Sequence, residues 1–249
     1  MGGHSHWSQV KRQKGVADVK RGQIFTKLGR ELTIAARQGV PDPEANFRLR
    51  LAVQRARDAN MPSDTIERAI KRGGGGDNSA ELIENAYEGY GPGGVAILVE
   101  VVTDNRNRAV SEIRAAMTRA GGNLGEAGCV AWLFDNKGVI VAKAADGNGE
   151  DIALIAIDAG AEDVEIGDDR LDVYTRAEDL EKVRQALEEQ GVAIESAELT
   201  KIAKTTVNLG EKEALQALRL LDKLDELDDV QRVHSNAEFS DEALTAYTS

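Results

Sequence analysis

The sequence predicts an α+β protein: an all-helical N-terminal domain followed by two ferredoxin-like α+β domains, one inserted in the other. Three observations predict it. Apolar residues recur at helical spacing in three segments before residue 73. From residue 93 onward there is no proline, and short β-branched runs alternate with amphipathic segments closed by glycine. Within that region residues 137–200 run β-α-β-β-α-β, the split βαβ order of the ferredoxin-like fold.

In the first segment Ile24, Leu28, Leu32, Ala35 and Ala36 share one helical face and Gly39 follows as a stop. The other side carries Lys20, Lys27, Arg30 and Arg37. A second helix is expected from Asp42 as N-cap, with Pro43 in its first turn, through Phe47, Leu51 and Ala56. On it Arg48 aligns with Arg55, and Arg50 with Arg57. A third follows Pro62, where Asp64 and Glu67 have capping-box spacing, and stops at Lys71 and Arg72. The run Gly73 to Gly76 reads as a flexible linker, so the helical domain spans 1–78.

Residues 137–200 hold strands near 139–142, 164–166, 171–175 and 193–199. Their helices fall near 150–159 and after a capping box at Thr175 and Glu178, ending at Gly160 and Gly191. Flanking them are a strand at 95–102, a helix at 106–120 and a strand at 129–134. A helix near 211–226 and a strand at 230–235 follow on the other side. Residues 137–200 are therefore expected as an insertion in a discontinuous domain, 79–136 with 201–239, leaving 240–249 as a tail.

Charge divides the chain in the same way. The net of −12 is the sum of a first 76 residues with 15 Lys and Arg against 7 Asp and Glu, and a remainder with 16 against 36. A block of +8 on a body of −20 suits phosphate binding by the first domain only. Residues 137–200, with 6 basic against 17 acidic residues, would repel phosphates, and only Tyr174 stands where RNA-binding modules of this topology carry stacking aromatics. That domain reads as a protein-contacting or solvated scaffold.

Several chemistries find no support. No apolar run approaches the roughly 20 residues that cross a bilayer. Cys129 is the one cysteine, which leaves no internal disulfide and no multi-cysteine zinc site. With no apolar signal core at the N-terminus, a cytoplasmic location is expected. Gly89, Gly91 and Gly94 match G-x-G-x-x-G but precede a strand instead of opening a helix, so they read as a turn. Asp146, Asn148 and Glu150 lack the rest of a calcium loop. His4 and His6 fall short of a metal ligand set, and Cys129, inside the apolar run GCVAWLF, reads as a buried structural thiol. No catalytic constellation, cofactor or metal is expected.

The candidate site is instead nucleic-acid binding: Trp7, Lys11, Arg12, Lys14, Lys20, Arg21, Lys27 and Arg30 place an aromatic and seven cations within 24 residues. Dense flexible cations neutralise phosphates, and an aromatic stacks on an unpaired base. Trp7 alternatively caps the helical core. No helix carries an evident set of Asn, Gln and Arg for base edges, which leans toward structured RNA.

Longer stretches carry a resemblance. GHSHW (3–7), KRGQIFTKLGRELTIAAR (20–37), DPEANFRLRLAVQRARDANMP (42–62), DTIERAIKRG (64–73), EGYGPGGVAILVE (88–100), TDNRNR (103–108) and GGNLGEAGCVAWLF (121–134) resemble, in order, the YebC/PmpR family, which includes mitochondrial translational activators of cytochrome c oxidase. His6 stands where that family usually has Lys. The resemblance implies a helical domain followed by two α+β domains, and a non-enzymatic regulator. Members are described as DNA-binding transcriptional regulators, others as ribosome-associated factors that aid translation of proline-rich stretches. The expected partner of the first domain is thus duplex DNA, or ribosomal or messenger RNA. The acidic domains are available to a protein partner, and a membrane is not expected. The motif residues Tyr90, Arg106 and Arg108 are expected on a second functional surface.

Overall fold

The computed structural model describes residues 18–75, 81–144, 148–167 and 169–248. Three helices come first: α1 (Asp18–Gln38), α2 (Phe47–Asp58) and α3 (Ser63–Gly73). Then follow β1 (Ile83–Tyr90), β2 (Ala96–Thr103), α4 (Arg106–Arg119), β3 (Asn123–Leu124) and β4 (Phe134–Lys143). Next are α5 (Gly149–Ala159), β5 (Asp163–Ile166), β6 (Arg170–Arg176), α6 (Leu180–Glu189) and β7 (Ile194–Ala203). The chain closes with β8 (Val207–Asn208), α7 (Glu211–Asp225), β9 (Val230–Ser235), β10 (Ala237–Glu238) and α8 (Asp241–Thr248). No described helix is long and apolar enough to cross a membrane. The chain divides into two compact units, one running to Leu133 and resuming at Ala203, the other Phe134–Ile202.

The helical core joins Leu28, Leu32, Ala35 and Ala36 of α1 to Leu49, Ala52, Val53 and Ala56 of α2, and to Ile66 and Ala69 of α3. α2 starts later than Asp42. Its N-cap is Asn46, whose side-chain oxygen accepts from the Leu49 N–H at 3.1 Å while its amide donates to the carbonyls of Ala35 and Val40 at 2.8 and 2.9 Å. One side chain thus caps α2 and closes the loop from α1, whereas Asp42 accepts from Glu44 N at 3.0 Å in a turn. α3 begins after Pro62 without a side-chain cap, and Asp64 pairs with Arg68 at 2.9 Å. Gly73 is no linker residue. It ends α3 against α1, where a Cβ would stand 2.3 Å from the Thr33 carbonyl oxygen and 2.7 Å from Ala36 Cβ.

In the middle domain β1 and β2 form an antiparallel hairpin, from Ile83 opposite Thr103 to Tyr90 opposite Ala96. Its turn is Pro92–Gly94, in which Gly93 has φ 70°, the turn expected of the glycine motif. The sheet order is β3-β1-β2-β9. Ile97, Val99 and Val101 of β2 face a core with Ala109, Ile113 and Met117 of α4 and Leu218, Leu221 and Leu224 of α7. β1, IENAYEGY, carries Glu84, Asn85, Glu88 and Gly89 and so lacks the apolar alternation of a strand. The expected tail beyond 239 is helix α8, which adds Ala243 and Leu244 to this core.

The inserted unit has strand order β5-β6-β4-β7 with β4 antiparallel to β6 and β5 antiparallel to β6, the split βαβ arrangement. Ile140, Ile152, Ala156, Leu171, Val173, Leu180, Val183 and Leu187 are buried in it.

Within the first unit, the helical and middle domains meet at Asp229, 2% exposed in the loop between α7 and β9. Its carboxylate takes both Nε and Nη2 of Arg108 at 3.0 and 2.8 Å, the Thr103 hydroxyl at 3.0 Å and Nη1 of Arg30 at 2.9 Å. Bonds to Asp229, then to Asp104, hold the Arg108 guanidinium well above its usual pKa. Asn105 caps α4 by accepting from Arg108 N, which fixes the guanidinium's direction. Beside it Lys27 donates to the Asp225 carbonyl at the C-terminal end of α7, and Arg30 to the Asp228 carbonyl. Glu31 accepts from Arg55 at 2.8 Å and from Arg232 of β9 at 3.4 Å.

Two outcomes are expected in urea denaturation. Gly73→Ala should lose roughly 1–3 kcal/mol by overpacking, while Gly29→Ala, with nothing within 4 Å of its Cβ, should gain up to about 1 kcal/mol. Asp229→Asn should cost roughly 2–3 kcal/mol, below the usual figure for a fully buried pair because Arg108 stays 41% exposed. An Asp229→Asn midpoint equal to that of the unaltered chain would contradict the clamp.

Candidate nucleic-acid interface

Of the eight residues expected to bind nucleic acid, Trp7, Lys11, Arg12 and Lys14 lie outside the described residues. Lys20 and Arg21 fall in the first turn of α1. Lys27 and Arg30 are turned onto the chain's own carbonyls and Asp229, so these two cations join the helical domain to the middle domain.

The other described cations of the helical domain separate into two sets. Arg37 donates to the Leu82 carbonyl at 2.8 Å, Arg48 pairs with Glu84, Arg50 donates to the Pro43 and Glu44 carbonyls, and Arg55 and Arg68 pair with Glu31 and Asp64. Arg57, Lys71 and Arg72 are exposed, and their side chains have no hydrogen bond or ion pair among the described residues. Arg57 and Lys71 both line a cleft of about 620 Å³ between α2, α3 and the 41–43 loop, floored by Pro41, Pro43, Val53, Ile66 and Ile70. Two cations from different helices, against the one carboxylate of Glu67 in the same lining, thus converge on one surface, a geometry that suits a phosphate backbone. Arg57 was visible in the sequence only as an aligned arginine. Its freedom depends on which neighbours capture Arg50 and Arg55.

Tyr90, Arg106 and Arg108 do not share a surface. Tyr90 ends β1 opposite Ala96, whereas Arg106 and Arg108 follow Thr103 at the far end of β2, seven residues or about 24 Å away. Arg108 belongs to the Asp229 clamp. Arg106 is exposed, and its carbonyl accepts from the Tyr87 hydroxyl at 3.5 Å.

Around Tyr90 the structure corrects the expected strand at 129–134. Gly128, Val130 and Ala131 donate their backbone N–H groups to the Glu88 carboxylate at 2.7, 2.8 and 2.7 Å, so these donors are unavailable to a sheet. A short 3-10 turn, Ala131–Leu133, forms instead, and β4 begins at Phe134. Glu88 is 7% exposed; burial alone would raise its pKa, but the three backbone donors outweigh it and hold the carboxyl below the usual glutamate range. The Cys129 carbonyl accepts from both the Tyr90 hydroxyl and Trp132 Nε1 at 3.1 Å. Trp132, inside the expected strand, is 63% exposed. Cys129 is half-buried, and burial, then the Glu88 charge, pushes its thiol pKa up, the reverse of what a nucleophile needs. Among the described residues no cluster of three or more His, Cys, Asp or Glu could hold a metal ion. The signal for this loop was present in the sequence as Gly125 and Gly128, loop-forming positions just before the apolar run 129–134.

Because the folded pKa of Glu88 is depressed, its contribution to stability is complete above the ordinary glutamate range and disappears as pH falls through the folded value. Glu88→Gln should therefore lose roughly 1–3 kcal/mol at about pH 7, with the deficit shrinking toward about pH 3. Urea midpoints at both pH values check this; an equal deficit at both would contradict an ionised Glu88.

Comparison with known proteins follows the same domain division. The family model described as the TACO1/YebC protein N-terminal domain matches residues 5–76, and that described as the TACO1/YebC second and third domain matches residues 82–237. A relative from Dehalococcoides mccartyi, named "Probable transcriptional regulatory protein", is 55% identical over 249 residues, covering 100% of this chain and 99% of that protein. One of the same name from Roseiflexus castenholzii is 54% identical over 256 residues, covering 100% of both. The crystal structure of a protein titled "Conserved Hypothetical Protein Aq1575", from Aquifex aeolicus, superposes with a TM-score of 0.87 at 46% identity, over 95% of this chain and 98% of that one. The helical domain, the two α+β domains and these full-length matches together establish that the chain belongs to the TACO1/YebC family.

Proposed function

We propose that this chain is a nucleic-acid-binding regulator of gene expression that works without catalysis. The observation that carries the reading is the set Arg57, Lys71 and Arg72, three exposed cations unpaired among the described residues, on a domain of net +8 in a chain of net −12. Lys11, Arg12, Lys14, Lys20 and Arg21 add further cations for phosphate from the start of the chain, while Lys27 and Arg30 tie the helical domain to the middle domain. The acidic inserted unit, which exposes Leu154, Ile157 and Ile166, contacts a protein partner.

The relatives' name supports a role in transcription, in which duplex DNA is the target. A second reading, RNA bound by a ribosome-associated translation factor, is favoured by the amides of the helical domain. Gln38 donates to Glu84 at 2.5 Å and Gln54 to Asp58 at 2.9 Å, which leaves neither aimed at base edges and favours recognition of backbone and shape.

Titrations of labelled duplex DNA and structured RNA against salt test the proposal. A log-log slope of roughly −0.9 per neutralised phosphate is expected on duplex DNA, and replacing Arg57, Lys71 and Arg72 together by Ala should make it shallower by about 2–3. The nucleic acid held more tightly at equal salt identifies the target. Absence of binding, or a slope near zero, would leave the chain a protein-interaction module with its basic helices covering its own acidic surface.

A further inference from the structure

Tyr90 and Trp132 are the aromatic pair that the middle domain leaves in solvent, 37% and 63% exposed. A tryptophan brings a large apolar area to any contact that covers it, and here two aromatic rings held on one carbonyl oxygen offer such an area together. Both rings are held in place. The Tyr90 hydroxyl and Trp132 Nε1 each stand 3.1 Å from the Cys129 carbonyl oxygen, which puts the two donor atoms within about 6 Å of each other. The loop that carries this carbonyl hangs on Glu88 by three backbone N–H groups, and Gly125 N donates to the Glu88 carbonyl at 2.7 Å. Little freedom remains to be lost when a ligand arrives.

We propose that Tyr90 and Trp132 form a stacking site for an unpaired base of a single-stranded nucleic acid. The proposal rests on the nucleic-acid reading above and adds a contact outside the basic domain. Three features select a base over a peptide segment. The polar ends of both rings are already engaged with Cys129, so neither is aimed outward to donate to a peptide carbonyl. What the site presents is π-surface, which is what every base can use. Lys204 Nζ donates at 2.9 Å to the Trp132 carbonyl oxygen and sets a positive charge in this loop against that of Glu126, while the charge of Glu88 is taken up by its backbone donors.

The test uses the full chain with fluorescein-labelled oligo-dT and oligo-U of about 20 nucleotides, and a proline-rich peptide as the competing probe. In Trp7→Phe, where Trp132 is the one tryptophan, either oligonucleotide should quench the emission. Trp132→Ala should weaken binding roughly tenfold with an unchanged salt slope, because no phosphate contact is lost, and Trp132→Phe should restore most of it. Tyr90→Phe, which keeps the ring but releases its bond to Cys129, should fall between. Thermal melts confirm folding of each variant. If the intact chain binds with a steep slope but Trp132→Ala binds equally well, the stacking site is wrong and the basic-domain reading stands. Quenching by the peptide and not by the oligonucleotides overturns the choice of a base. If the intact chain binds no nucleic acid, both readings fall together.

Discussion

The arrangement of the first unit depends on one buried carboxylate. Asp229 gathers a bidentate guanidinium from Arg108, a hydroxyl from Thr103 and a second guanidinium from Arg30, which together neutralise and desolvate it. Each partner comes from a different place: the end of β2, the first turn of α4 and the middle of α1. The clamp thereby sets the start of α4 and holds the helical domain to the sheet. It also accounts for the stretch 103–108, in which Thr103, Asn105 and Arg108 are successive parts of one capped corner.

This division of labour changes the meaning of the basic surface. A helix with cations along one side looks uniform in sequence, yet Lys27 and Arg30 of α1 are consumed by the C-terminal end of α7 and the loop after it. Arg57, Lys71 and Arg72, whose side chains are unpaired among the described residues, lie instead on α2 and α3, the first two beside the cleft. Glu88 performs a second organising task at the opposite end of the hairpin. A loop rich in small residues would be floppy without it, and with it becomes a fixed mount for two aromatic rings.

The helices of the first domain and the split βαβ of the insertion were legible because both rest on periodicity and glycine stops, which are local. What was not legible depends on contacts distant in sequence. Asn46 displaces Asp42 as the cap of α2 because its amide also reaches Ala35 and Val40. Residues 129–134 have a strand's composition, but Glu88, some forty residues earlier, removes the donors a strand requires. Gly73 looks like linker because the close approach of Thr33 is invisible until the helices pack. For the same reason the exposed Arg57 and Lys71 could not be told from their paired neighbours.

The central claim, that the first unit carries the nucleic-acid surface, is tested most directly by ultraviolet cross-linking of the full chain in cells, followed by nuclease digestion and mapping of nucleotide adducts by mass spectrometry. The account predicts adducts on the helical domain and at Trp132, with the attached nucleotide reporting DNA or RNA. Adducts confined to Phe134–Ile202, or none at all, would contradict it.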